Sequence, residues 1–421
     1  MLRESWQRNL AALWMAQTLT MIAFSFVFPF FPLYVQALGV RGVAEAAQWA
    51  GVLAAASAIA MTIAQPIWGS MADRHGRRPM VLRSMLGGGI VVGAMGFVTS
   101  PEQLLVLRVI QGLVTGTVAA CNALVAASTP RARLGFSLGI MQMGVFVGAS
   151  LGPLIGGVIA DRWGFQASFC TAGLLLLVGG TVAWIFVEEQ FTPPPKGAQQ
   201  PSVWRDSKRV LGIAALPALL AVTFLIQFGQ SIIAPILSLF VSELSGGENP
   251  ATTAGVILAG TGFMSAVSAL TLGRLSDRIG HTLILSVCLA GATLSFIPQA
   301  FVQDVGQLFL LRLILGLFIG GLMPTANALI AGLVPREHRG AAFGLTSASN
   351  SFAHGAGPLA GAGLATQWGM RSVFVATGFL FAIGYLWTTF GLRRHAGSVA
   401  RATAREVPPS SATSPPDSPS L

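Results

Sequence analysis

The stretch Gly69-Ser-Met-Ala-Asp73-Arg74-His75-Gly76-Arg77-Arg78 sits between two apolar runs, and 204 residues later Gly273, Asp277, Arg278 and Gly280 repeat its skeleton between two more. The same offset carries Gln103, Leu104, Arg108, Gly112 and Gly116 onto Gln307, Leu308, Arg312, Gly316 and Gly320. With one inserted residue the offset becomes 205. Asn122, Pro130, Gly139, Gly152-Pro153, Gly156, Trp163-Gly164 and Phe169 then meet Asn327, Pro335, Gly344, Gly357-Pro358, Gly361, Trp368-Gly369 and Phe374. Pro29 and Leu33 meet Pro235 and Leu239 at 206. Unrelated segments do not hold register over such a distance, so the chain is expected to be a duplicated unit with both copies in the same orientation.

The medium of that unit is set by composition. Of 421 residues, 53% are apolar and only 10% charged, against about a quarter charged in soluble domains. Runs of about 20 apolar residues suffice to cross a bilayer. Such runs are expected at 10–38, 47–70, 80–99, 103–127, 136–160, 167–187, 210–240, 253–275, 282–302, 306–333, 340–365 and 370–391. The fold class is therefore an all-α integral membrane protein of twelve transmembrane helices in two pseudo-symmetric six-helix bundles. The first half is expected to span 1–187 and the second 210–392. A linker at 188–209 contains Pro193-Pro194-Pro195, and the tail 393–421 is rich in Pro, Ser and Ala and expected to be disordered. The run from Leu10 to Leu38 far exceeds the apolar core of a secretory leader and is expected to be the first span. The fifty glycines suit a bilayer, where close backbone approach drives helix association.

The net charge of +10 is a matter of topology. Twenty Lys and Arg fall in loops on the side of the termini, whereas Arg41, Arg162 and Arg371 are the three on the opposite side. By the positive-inside rule both termini and the linker are expected to be cytoplasmic, in a multi-pass protein of the cell's cytoplasmic (inner) membrane. That distribution leaves no patch for nucleic acid. Cys121, Cys170 and Cys288 are far apart inside apolar runs, an arrangement that fits neither a disulfide framework nor a zinc site. No metal cluster, nucleophile elbow or phosphate loop appears, so no cofactor and no enzymatic activity is expected.

The residues from Gly69 to Arg78 resemble the signature G-x-L-A-D-R-x-G-R-K of the major facilitator superfamily, with Met71 in place of Leu. The resemblance implies a gating motif of Gly69, Asp73, Arg74, Gly76, Arg77 and Arg78, with a degraded second copy around Asp277 and Arg278. Gly69 would permit close helix contact at the cytoplasmic gate, and Asp73 would sit against the positive N-terminus of a helix from the other half. Span four contains Arg108-x-x-Gln111-Gly112, which is similar to the motif of proton-driven members. Its counterpart Arg312 has Leu315 where the glutamine would be. Span five reads Gly139, Gly148, Gly152-Pro153 and Gly156-Gly157 at the spacing of the antiporter motif G-x8-G-x3-G-P-x2-G-G of drug-exporting facilitators. Its glycines four apart make a smooth stripe for another helix, and Pro153 removes a backbone hydrogen bond. The flanking Pro29-Phe-Phe-Pro32-Leu-Tyr34 looks most like multidrug efflux proteins of the twelve-span drug:proton antiporter branch.

The resemblance implies a secondary active transporter that exports small amphipathic compounds by proton antiport with alternating access. An uptake symporter or facilitator for a defined metabolite on the same fold remains the alternative. The expected partners are a small-molecule substrate, protons as coupling ion and the lipid bilayer, with the chain acting as a monomer. Proton-coupling candidates are Arg108, Asp73 and His354, the last being the one histidine inside a span. A hydrogen-bonded packing histidine, or titration of Asp73 or Asp161 at the gates, stands beside it. In this fold the first, fourth, seventh and tenth spans line the centre. Gln17, Gln111, Asn122, Gln227, Gln230, Arg312 and Asn327 are therefore cavity candidates, each equally able to make a helix–helix hydrogen bond. None of the fifteen acidic residues falls mid-span. A cavity facing Arg108 and Arg312 is expected to favour neutral or anionic amphiphiles over permanent cations.

Overall fold

A computed structural model describes residues 5–130, 133–189, 191, 211–213, 215–335 and 339–392. Most of the expected linker and the whole expected tail, 393–421, lie outside the described residues. Within them the chain is helical throughout. Ten stretches are long and apolar enough to cross a membrane, and Phe136–Phe186 at 51 residues is long enough to do so twice. It bends at Gly164, whose φ of 82° lies outside the helical range and makes its two limbs the fifth and sixth spans. Arg339–Trp368, a 30-residue helix with many small and polar residues, is not among those ten and stands where the eleventh span is expected. The remaining spans are Ser5–Val27 running on into Phe31–Ala37, Val43–His75, a third starting at Arg78–Leu82, a fourth starting at Pro101–Val114, Leu216–Leu244, Pro250–Ile279, His281–Gln299, Val305–Leu333 and Met370–Leu386.

The duplication read in the sequence reappears contact by contact. A methyl group on Gly112 would strike Ser57 and Ala60, and one on Gly316 would strike Thr261 and Met264, each 204 residues on. Gly156 lies against the Phe26 backbone, and Gly361, 205 residues on, lies against Ile232, 206 on from Phe26. Gly164 and Gly369 break the chain with nearly equal φ, 82° and 80°. Ser100 and Asp304 both accept the amide of the glutamine three residues ahead, which caps the fourth and tenth spans alike.

Two differences from the sequence expectation have local causes. The fourth span is not one helix, because Gly116 takes φ 124° and separates Pro101–Val114 from Thr117–Ser128. The break leaves the Leu113 carbonyl to accept the Trp68 indole N–H at 2.6 Å. Arg83, counted with the loops by sequence, lies within the third span and stacks over the Trp68 ring at 3.6 Å.

The bundles meet along a seam formed by the second span on the eleventh and the fifth on the eighth. Gly51 packs on Pro358, and its repeat partner Gly255 packs on Pro153. Gly157 lies against Ala251, and Gly262 against Ser150. All these contacts fall toward the end of the molecule that holds Asp161 and Ala251, here called the far end. Toward the other end, where the chain enters its first span, the glycines of the same four helices lie free of contact with other helices. No described atom lies within 4 Å of where a side chain would begin at Gly69, Gly139, Gly273 or Gly344.

Candidate functional site

The far end of the seam is closed by a carboxylate. Asp161, at the end of the fifth span, accepts the backbone amides of Ala251 at 3.3 Å and Thr252 at 2.6 Å. These belong to the first turn of the eighth span, whose own N-cap residue, Asn249, makes no side-chain cap. The first amides of a helix lack internal partners and carry a partial positive charge. Asp161 therefore caps a helix of the opposite bundle.

At the terminal end the loop from Gly69 to Arg78, expected to be a gate, is anchored within its own bundle. Glu189 accepts the amides of Arg77 and Arg78 at 2.9 and 2.7 Å. Arg78 donates to the Trp184 carbonyl at 2.5 Å, and Arg8 pairs with Glu188 at 2.5 Å. Gly76 turns the loop with φ 94°, where a side chain would also meet the Glu189 carboxylate. Arg74 is exposed, and the side chain of Asp73 lies outside the described residues. In the second copy, Asp277 and Arg278 are exposed, with His281 Nε2 3.9 Å from Asp277.

On the fifth span, Gly148, Gly152 and Gly156, together with Gly144, run along the first span from Trp14 to Phe26. That contact is inside one bundle. Gly157, one residue round the helix, and Pro153 through its carbonyl face the eighth span of the other bundle, while Gly139 at the terminal end faces open space.

Between the bundles, beneath the closed far end, lies a cavity of about 370 Å³. Its walls are largely apolar, with Phe28, Phe31, Leu258, Phe296 and Ile319 among them, and its polar groups include Gln230, Ser238, Thr261, Ser265 and Arg312. Such a volume, mostly apolar with a few polar groups, is ordinary for a small-molecule site.

Of the cavity candidates read from sequence, Gln230 and Arg312 are brought to this wall. Gln17 instead donates to the Met141 carbonyl at 2.9 Å, joining the first and fifth spans. Gln111 accepts from Arg108, and Gln227 meets His354 Nε2 at 3.0 Å. Asn122 and Asn327 occupy equivalent places, each with a buried side-chain oxygen that has no hydrogen-bond partner. His354 also meets Ser231 through Nδ1 at 3.1 Å, so both ring nitrogens are engaged with the seventh span. With the Gln227 amide nitrogen as donor, the ring accepts at Nε2 and carries its proton on Nδ1.

Arg108 and Arg312 differ in surroundings. Arg108 is 1% exposed, donates from Nε to the Leu53 carbonyl at 3.2 Å and from Nη1 to Gln111 at 2.5 Å, and lies over the rings of Phe28 and Phe31 at 4.5 and 4.7 Å. Those two rings are themselves part of the cavity wall. Arg312 is 4% exposed, lines the cavity directly, and has the rings of Phe296 and Phe374 at 5.8 Å. Sequence reasoning missed the cap at Asp161 and the anchor at Glu189, because the partners of each are about a hundred residues away. Cys121 and Cys288 are buried and all three cysteines are free.

A membrane-embedded pair of pseudo-symmetric helical bundles around a central cavity is the architecture of a secondary transporter. The sequence model of the Major Facilitator Superfamily matches residues 13–222 and again 219–416, and the chain belongs to that superfamily, a family of transporters rather than enzymes. It is 37% identical over 396 residues to the "Multidrug resistance protein MdtG" of Yersinia enterocolitica, covering 93% of this chain and 94% of that protein. The protein of the same name from Serratia proteamaculans is 36% identical over 408 residues, 96% of this chain and 98% of that one. Among solved structures, the fold is similar to a bacterial homolog of the human lysosomal transporter Spinster in an inward-facing, occupied conformation. The TM-score is 0.78 at 16% identity, over 93% of this chain and 98% of that one.

Proposed function

We propose that this protein is a multidrug exporter of the bacterial inner membrane, driven by proton antiport and working by alternating access of two halves, 1–187 and 210–392. The observation that carries it is the asymmetric seam: contacts between the bundles at the far end, with Asp161 capping the eighth span, and small residues free of contact at the terminal end. With the basic loops on the cytoplasmic side, this conformation is inward-open. Rocking the halves about the cavity would bring Gly69, Gly139, Gly273 and Gly344 into contact and withdraw Asp161 from its helix. The relatives named for multidrug resistance support export of small amphipathic compounds. A monomer suffices, since the cavity lies between halves of one chain.

The proton carrier in this scheme is a group at the seam. His354, bonded to Gln227 and Ser231 beside Gly355, whose face meets Ala58 of the other bundle, is one candidate; its two hydrogen bonds equally suit a packing histidine, with Asp73 or Asp161 then the carrier. In everted vesicles, export of a compound panel should stop when the pH gradient is collapsed, and substrate addition should release protons. Accumulation of the same compounds by whole cells expressing the protein would instead indicate uptake. Full gradient-driven export by His354→Ala would remove the histidine from the route.

A further inference from the structure

Arg312 carries two N–H groups, on Nε and Nη2, that are buried without a hydrogen-bond partner. These two form one edge of the guanidinium, and that edge is the fork by which arginine binds two oxygens of a carboxylate or similar oxyanion side by side. A buried arginine left without acceptors is costly, more so at membrane depth. The first bundle shows how the cost is met when no ligand is involved. There the Leu53 carbonyl takes Arg108 Nε and Gln111 takes Nη1.

Both acceptors are missing from the second copy. Leu315 stands where the repeat places Gln111, and it is fully buried. The carbonyl equivalent to that of Leu53 belongs to Ile257, and it accepts the Thr261 hydroxyl at 2.7 Å. The unbonded guanidinium lies in the wall of the central cavity, where Phe28, Phe31, Leu258 and Ile319 offer apolar surface. No aspartate or glutamate lies mid-span to neutralise it.

We infer that Arg312 is an anion-binding subsite of the cavity, which takes the oxyanion head of an amphipathic acid while the apolar body lies against the aromatic wall. The inference rests on the cavity being the transport site and assigns it one preferred substrate class. Arg108, already bonded and covered by Phe28 and Phe31, has no part in it.

The test is equilibrium binding to the purified full-length protein in lipid nanodiscs, read from probe fluorescence. The probes are a naphthyl-alkanoic acid and its methyl ester, with sodium sulfate as a competitor that lacks the apolar body. The native protein is expected to bind the acid about tenfold or more tightly than the ester. Sulfate is expected to compete only weakly. Arg312→Gln should abolish the preference while keeping ester affinity. Leu315→Gln, which puts an amide acceptor where the first bundle has one, should reduce the preference several-fold without removing the arginine. Equal affinity of native protein for acid and ester would overturn the anion site, as would an unchanged preference in both variants. Competition by sulfate as strong as by the acid would overturn the amphipathic class. Export of neutral compounds by the native protein in vesicles separates this from the export proposal, since it should be seen even if the anion site is wrong.

Discussion

At the far end of the seam, Asp161 caps the amides of Ala251 and Thr252, and Gly157 and Gly255 bring backbones of opposite bundles together. At the terminal end, Gly69, Gly139, Gly273 and Gly344 present the same kind of smooth surface to no described atom within 4 Å. A small residue here therefore has meaning only with respect to a state. One set allows a contact that is made in this conformation, and the other allows a contact that alternation would make. The glycines at 144, 148, 152 and 156 belong to neither set, because they fix the fifth span to the first within one bundle.

The sharpest way to break that contrast is to fill each end in turn. Gly157→Leu would drive a side chain into the Ala251 backbone, and Gly69→Leu fits the present conformation but obstructs closure of the other end. Both should abolish transport in vesicles, the first by holding the far end open and the second by trapping the state seen here. Opposite accessibility of a cavity residue such as Gln230→Cys to a membrane-impermeant thiol reagent would tell them apart.

A smaller effect is expected at the paired arginines. Arg108→Met strands the Gln111 and Leu53 acceptors and should cost about 2 kcal/mol, lowering the thermal unfolding midpoint in detergent. Arg312→Met removes a guanidinium with two unbonded N–H groups and should leave the midpoint unchanged or raise it. Equal losses would show the two sites to be more alike than their hydrogen bonds indicate.

Asp161→Asn keeps an acceptor but loses the charge facing a helix N-terminus, about 1 kcal/mol. It should shift the far end several-fold toward opening, read as increased thiol reactivity of a cysteine placed at Ala251. Smallest is Gly116→Ala. Open space surrounds it, so the cost is backbone strain at φ 124°, about 1 kcal/mol, seen in the unfolding midpoint alone.

Much of the fold was legible because the repeat is written in residues with few substitutes. Gly112 and Gly316, Gly156 and Gly361, and Gly164 and Gly369 each do the same mechanical task at matching offsets. The break at Gly116 was not legible, since glycine is common inside membrane helices and only its φ distinguishes a break from a packing site. In the cavity the residue types gave no direction. Gln17, Gln111 and Gln227 lie in the expected spans but turn to Met141, Arg108 and His354, because a polar side chain among apolar helices takes the nearest partner. The difference between the arginines was visible as Leu315 against Gln111, although that substitution acquires its meaning only once Ile257 is seen bonded to Thr261.

Transport by this mechanism requires the two ends of the seam to alternate. Spin labels placed in pairs on a background without native cysteines would measure this. One pair would sit at Gln48 and Thr366, which touch at 3.4 Å across the far end, and the other at Met71 and Phe343, near the terminal ends of the second and eleventh spans. Distance distributions in nanodiscs should show the terminal pair shortening as the far pair lengthens when pH or substrate is changed. Distances at both ends that stay fixed, or that change in the same sense, would contradict the account.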